Sequence, residues 1–141
     1  MIEVTALIAA VLMAAAGLIH AFWAFGGVWP AADGRALAKA VTGEKQERMP
    51  DMAACLAVFA LLVCAAVIVT DRAGLLALPG PGWIVTVGAW VIAGVLTARG
   101  LVGLITSLWA RRATRYQRLD VAVYSPLCLV IAALCLPAAI G

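Results

Sequence analysis

The residues able to do chemistry are few, and they lie in apolar surroundings. His20, the only histidine of the 141 residues, sits in "IHAFWAFGGVWP", Ile19 to Pro30. Arg99 interrupts the apolar run from Trp83 to Trp109, and Asp120, Tyr124 and Ser125 open the last apolar tract in "LDVAVYSPLCL", Leu119 to Leu129. An imidazole titrates near neutrality and can act as an acid or a base. An arginine at the centre of a membrane helix costs on the order of 3 kcal/mol unless it meets a partner or water, so an orphan Arg99 is not expected. His20 precedes Pro30 by ten residues and Arg99 precedes Trp109 by ten, which puts both about 15 Å from the same boundary of a helical bundle.

The search for a counter-charge to Arg99 is short. Glu3 and Asp71 fall at the opposite end of their helices, which leaves Asp51 and Asp120. Asp120 is the preferred partner, although Cα–Cβ bonds tilt toward a helix N-terminus and so lean Arg99 away from it. An anionic or carbonyl-bearing ligand is the alternative. Val95, Arg99, Gly103 and Thr106 follow helical spacing, as do Gly17, His20, Ala24 and Gly27. Small residues let helices approach closely in a bilayer, so both polar residues are expected to face the bundle interior, side by side.

The elements that must position these groups follow from composition. Hydrophobic residues make up 66% and charged residues 12% of the chain, far from the soluble norm. Four apolar tracts, about 2–29, 52–70, 83–109 and 121–140, approach or exceed the roughly 20 residues that an α-helix needs to cross a bilayer. The expected fold is an all-α integral membrane four-helix bundle forming one domain. The first tract lacks a basic leader and is longer than the apolar core of a signal peptide, so it is read as mature structure. In the connection 30–51, Ala36, Leu37, Ala40 and Val41 fall at helical spacing and predict a short interfacial helix. Asp51 suits an N-cap for the second long helix. Pro126 deprives the fourth tract of one backbone N–H, so irregular backbone is expected near Tyr124. At membrane depth that is tolerated only against protein or a water-filled cavity.

Charge sets the expected orientation. Arg35, Lys39, Lys45 and Arg48 follow the first tract, Arg111, Arg112, Arg115 and Arg118 the third, and Arg72 alone the second. The positive-inside rule then assigns the first and third connections to the cytoplasm and both termini to the outside. Glu44 is among the acids that balance the first connection, so the net charge of +3 resides in the second basic cluster. That cluster can attract anionic headgroups. Cys55, Cys64, Cys128 and Cys135 form no CxxC or zinc pattern and read as small hydrophobes.

Three stretches together resemble a known family, the small four-helix bacterial membrane proteins of domain of unknown function 3995. They are His20-Ala21-Phe22-Trp23-Ala24-Phe25-Gly26-Gly27-Val28-Trp29, Arg99-Gly100-Leu101-Val102-Gly103, and Asp120 followed by Tyr124-Ser125-Pro126-Leu127-Cys128. The likeness covers essentially the whole chain and implies a four-helix fold in a bacterial inner membrane. It departs at Ile105 to Ser107, where a more polar or aromatic turn is expected.

Three functions fit these residues. In the first, His20, Trp23, Arg99, Asp120, Tyr124 and Ser125 form a polar pocket that binds or acts on a lipophilic small molecule or lipid. His20 is then a proton donor or hydrogen-bond partner, Arg99 holds an anion or carbonyl, and Asp120 orients the Tyr124 hydroxyl. In the second, the same residues only lock helix packing in a structural or accessory subunit. In the third, Arg99 serves a small anion transporter. Membrane lipids, a lipophilic ligand and, in a homo-oligomer, further copies of the chain are the expected partners. Nucleic acid is not expected. No metal or cofactor is implied: one histidine cannot give bis-histidine haem ligation, and Met13 on the same helix cannot reach the opposite haem face.

Overall fold

The computed structural model of the chain describes residues 1–43, 45, 47–110 and 113–141. Glu44, Gln46 and two members of the second basic cluster, Arg111 and Arg112, lie outside the described residues. The described residues are helical and contain no strand. Four spans, of 23, 21, 27 and 26 residues, are long and apolar enough to cross a membrane.

The first long helix, α1 (Ile2–Ala24), stops five residues before Trp29. Gly26 takes φ +87°, which ordinary side chains rarely adopt, and breaks the helix. The short α2 (Gly34–Val41) begins where the Asp33 carboxylate accepts the Ala36 N–H at 2.8 Å. It turns Leu37, Ala38 and Ala40 inward. Asp51 caps α3 (Met52–Arg72) in the same way, accepting from the Ala54 N–H at 2.8 Å. The third long helix, α4 (Gly82–Leu108), follows Pro81.

The fourth span starts at Arg115, six residues earlier than apolarity alone indicates. Thr114 and Gln117 form a reciprocal capping box that starts α5 (Arg115–Leu119). One π-helical turn (Asp120–Tyr124) then passes directly into α6 (Ser125–Ile140). In that turn the Ser125 N–H bonds back five residues to the Asp120 carbonyl. The widened turn resolves the Pro126 problem, because it gives the ring room against the preceding carbonyls while the rod continues.

The spans form a ring in which α1 packs on α3 and α6, and α4 on α6 and α3. Helices α1 and α4 occupy opposite corners and share no backbone contact. Small side chains permit the close approaches: a Cβ at Gly17 would stand 3.2 Å from Phe59, and one at Gly88 would stand 3.1 Å from Ile68. The packed core, with Ala6, Ala9, Met13, Val69, Ala93, Ile131, Cys135 and Ala138, lies in the half of the bundle that holds the termini. Large apolar side chains such as Leu7, Val11, Leu61 and Val95 point outward, as a lipid-facing surface requires. The other half, beneath α2, holds the polar groups.

Candidate functional site

The π turn sorts the fourth span into two faces. Tyr116 and Asp120 are four residues apart and share a face. In a continuous α-helix the next residue on that face would be Tyr124, but the extra residue of the wide turn hands the position to Ser125. Asp120 and Ser125 are both fully buried against α4. Tyr124 swings toward α2, where its hydroxyl donates to the Ala40 carbonyl at 3.2 Å.

On the α4 side, Arg99 Nη2 donates to Asp120 Oδ1 at 2.8 Å and to the Tyr116 hydroxyl at 3.3 Å, while Nη1 reaches Ser125 Oγ at 3.5 Å. The Ser107 hydroxyl donates to Asp120 Oδ2 at 2.9 Å. Both carboxylate oxygens are thereby engaged, which a buried acid requires. The sequence expectation that Arg99 leans away from Asp120 fails because of Gly103. With no Cβ there, the guanidinium folds one turn toward the helix C-terminus; a Cβ at 103 would collide with Arg99 Nη1 and Ser125 Oγ and stand 2.7 Å from Asp120 Oδ2. The head therefore lies at the level of Gly103, about 8 Å from the end of α4, and Asp120 lies about 8 Å from the start of the fourth span. This is snorkelling into a protein acceptor. Arg99 stands at the edge of the buried stripe Ala93, Gly100, Gly103, Ser107, and 41% of its side chain stays exposed against 1% for Asp120.

His20 does not stand beside Arg99, because α1 and α4 are at opposite corners. Its Nδ1 bonds the Ala16 carbonyl at 2.8 Å, and its ring meets Trp23 edge-on with centroids 5.1 Å apart. Together with Trp23, Met49, Cys55 and Val58 it lines a cavity of about 170 Å³ between α1, the start of α3 and the end of α2. Trp23 is also a wall of a larger cleft of about 410 Å³, enclosed by α1, the 29–31 segment, α2 and the outer face of the fourth span. Tyr124, Val123, Leu119 and Arg115 face that cleft from the fourth span, with Ile19, Trp29 and Leu37 opposite. Trp23 Nε1 donates to the Trp29 carbonyl at 2.8 Å and fixes one rim. The Tyr124 bond to Ala40 fixes another.

The six candidates thus fall into three places. Arg99, Asp120 and Ser125 form the ion-pair cluster, Trp23 and Tyr124 flank the large cleft, and His20 with Trp23 lines the small cavity. The expected Asp120–Tyr124 contact is replaced by Tyr124–Ala40, for the reason the π turn supplies. Ser107, Tyr116, Gly103 and Arg115 were not singled out as site residues. Gly103-x-x-x-Ser107 is a small-residue spacing that marks helix contacts, and Ser107 lies in the turn where the family likeness implies a more polar or aromatic stretch than this chain carries. Among the described residues no group of three His, Cys, Asp or Glu stands together to hold a metal ion.

Four spans, a saturated ion pair between the last two of them and clefts under a short capping helix define an all-helical, multi-pass membrane protein. The chain belongs to the family described as protein of unknown function (DUF3995), whose model matches residues 12–135. No curated protein and no solved structure matches it.

Proposed function

We propose that the protein binds a lipophilic small molecule or a single lipid in the cleft beneath α2, between the first and fourth spans. The supporting observation is the cleft itself. Its volume of about 410 Å³ falls within the roughly 300–1,000 Å³ of ligand sites, its walls are apolar and aromatic, and two hydrogen bonds pin its rim. The Arg99–Asp120 cluster acts beside it as a packing lock. Because Asp120 neutralises Arg99, a transport reading based on an unpaired embedded cation loses its support.

Native mass spectrometry with lipid analysis tests the reading. A defined lipophilic mass should accompany the wild type and be depleted in both Val123→Trp and Ala31→Trp, which fill the cleft from opposite walls. Equal masses in wild type and in both variants, each with wild-type melting behaviour, would refute it. We further assign the α2 end to the cytoplasm of a bacterial inner membrane, from the basic residues of the first and third connections. A phosphatase fused after Gly141 should then be active outside; a fluorescent fusion that lights up inside would reverse the assignment.

A further inference from the structure

The cleft is chemically uneven along its length. Among the described residues, Arg115 is the one charged side chain lining it. Arg115 is the first residue of the fourth span and exposed, whereas Val123 lies eight residues further in, about 12 Å along the rod. Ile19 and Leu119 flank the interior. A cation therefore stands at the mouth and hydrocarbon lines the depth. Among the described residues no carboxylate lines the same space: Asp120 turns to α4, where Arg99 and Ser107 occupy its two oxygens. Arg115 enters no ion pair among the described residues. The Tyr124 hydroxyl proton is committed to the Ala40 carbonyl, so the tyrosine leaves the positive character of the mouth intact.

We infer that the occupant is a single-chain acidic amphiphile, its carboxylate or phosphate head on Arg115 and its chain running inward past Leu119 toward Val123 and Ile19. This rests on the cleft being a binding site, as proposed above. Guanidinium groups bind carboxylate and phosphate through paired, charge-assisted hydrogen bonds. The chain follows from the walls. Its number follows from the volume, which lies near the lower end of the range for ligand pockets and has room for one chain.

The test uses the full chain in an uncharged detergent, with hexadecanoic acid, hexadecyl phosphate, hexadecanol and inorganic phosphate as probes, and binding followed by native mass spectrometry. Wild-type protein should bind both acids about tenfold more tightly than the alcohol. Arg115→Gln should abolish that preference without weakening hexadecanol, and Arg115→Lys should keep part of it. If acid and alcohol bind equally in the wild type, and Val123→Trp displaces both, the acidic class is wrong and the cleft stands. If inorganic phosphate alone competes as well as hexadecanoic acid, the site takes free anions and the amphiphile is wrong. If no probe binds, or Val123→Trp changes nothing, the binding reading itself falls and the inference falls with it.

Discussion

Gly103→Ala is a substitution of one methyl group that should act on the whole polar cluster. The added Cβ collides with Arg99 Nη1 and Ser125 Oγ and stands 2.7 Å from Asp120 Oδ2. Overpacking of this kind costs about 1–3 kcal/mol. Pushing the guanidinium off Asp120 leaves a buried carboxylate with only Ser107 as donor, which costs about 1–3 kcal/mol more. The helix propensity of alanine over glycine returns about 0.5–1 kcal/mol. The net expectation is a loss of about 1–5 kcal/mol, with its centre at about 3, combining these terms. Gly94→Ala on the same helix is the matched control, since a Cβ there meets nothing within 4 Å; it should be neutral or slightly stabilising. Equilibrium unfolding in mixed detergent and sodium dodecyl sulfate micelles measures both. Adding Ser125→Ala to Gly103→Ala should recover part of the loss, because one of the colliding atoms is gone and neighbouring sites couple. If Gly103→Ala and Gly94→Ala have the same stability, the guanidinium does not lie over Gly103 and the snorkelling geometry is wrong.

Two further outcomes follow from the same contacts. Asp120→Leu alone should cost about 3 kcal/mol by stranding Arg99, whereas Arg99→Leu with Asp120→Leu should cost less than about 1 kcal/mol; additive losses in a double-mutant cycle would count against a packing lock. Tyr124→Phe removes the hydroxyl that holds Ala40 and should cost about 1 kcal/mol or less while accelerating amide exchange in α2, and unchanged exchange there would mean that α2 is held by Leu37, Ala38 and Ala40 packing alone.

The spans were legible because lipid imposes a length and a composition that few other structures satisfy, whereas their ends were set by local chemistry that apolarity does not report. At Ala24 the stop comes from Gly26 and its positive φ, although Phe25, Val28 and Trp29 prolong the apolar run. At Arg115 the start comes from the Thr114–Gln117 capping box, a pattern visible in the sequence but placed in a stretch too polar to count as span. The Arg99–Asp120 pair was legible through scarcity, since only two acids, Asp51 and Asp120, bordered a span at that end. Its geometry was not, because the direction of a long side chain depends on the space beside it, here the missing Cβ of Gly103. That His20 meets the start of α3 and not α4 was not legible, for a more general reason. Helices that are apolar all round carry little record of which neighbour each face meets, and depth alone cannot distinguish an adjacent helix from one across a diagonal.

The π turn is where fold and site meet. Without the extra residue, Tyr124 would follow Tyr116 and Asp120 onto the α4 face, and Ser125 would turn away from Gly103. One chain segment would then have to serve the ion pair and α2 with the same side chain. The wide turn separates the two duties: Asp120 and Ser125 close the interface with α4, while Tyr124 is free to hold Ala40. Arg115 and Leu119 line the cleft before the turn and Val123 lines it within the turn. Pro126 favours this arrangement because its missing N–H leaves the preceding turn without a regular hydrogen bond to lose. The lock and the cleft are therefore mechanically adjacent but chemically distinct, so substitutions at Arg99 and Asp120 that preserve packing should leave occupancy of the cleft unchanged, and filling the cleft at Val123 should leave the ion pair in place.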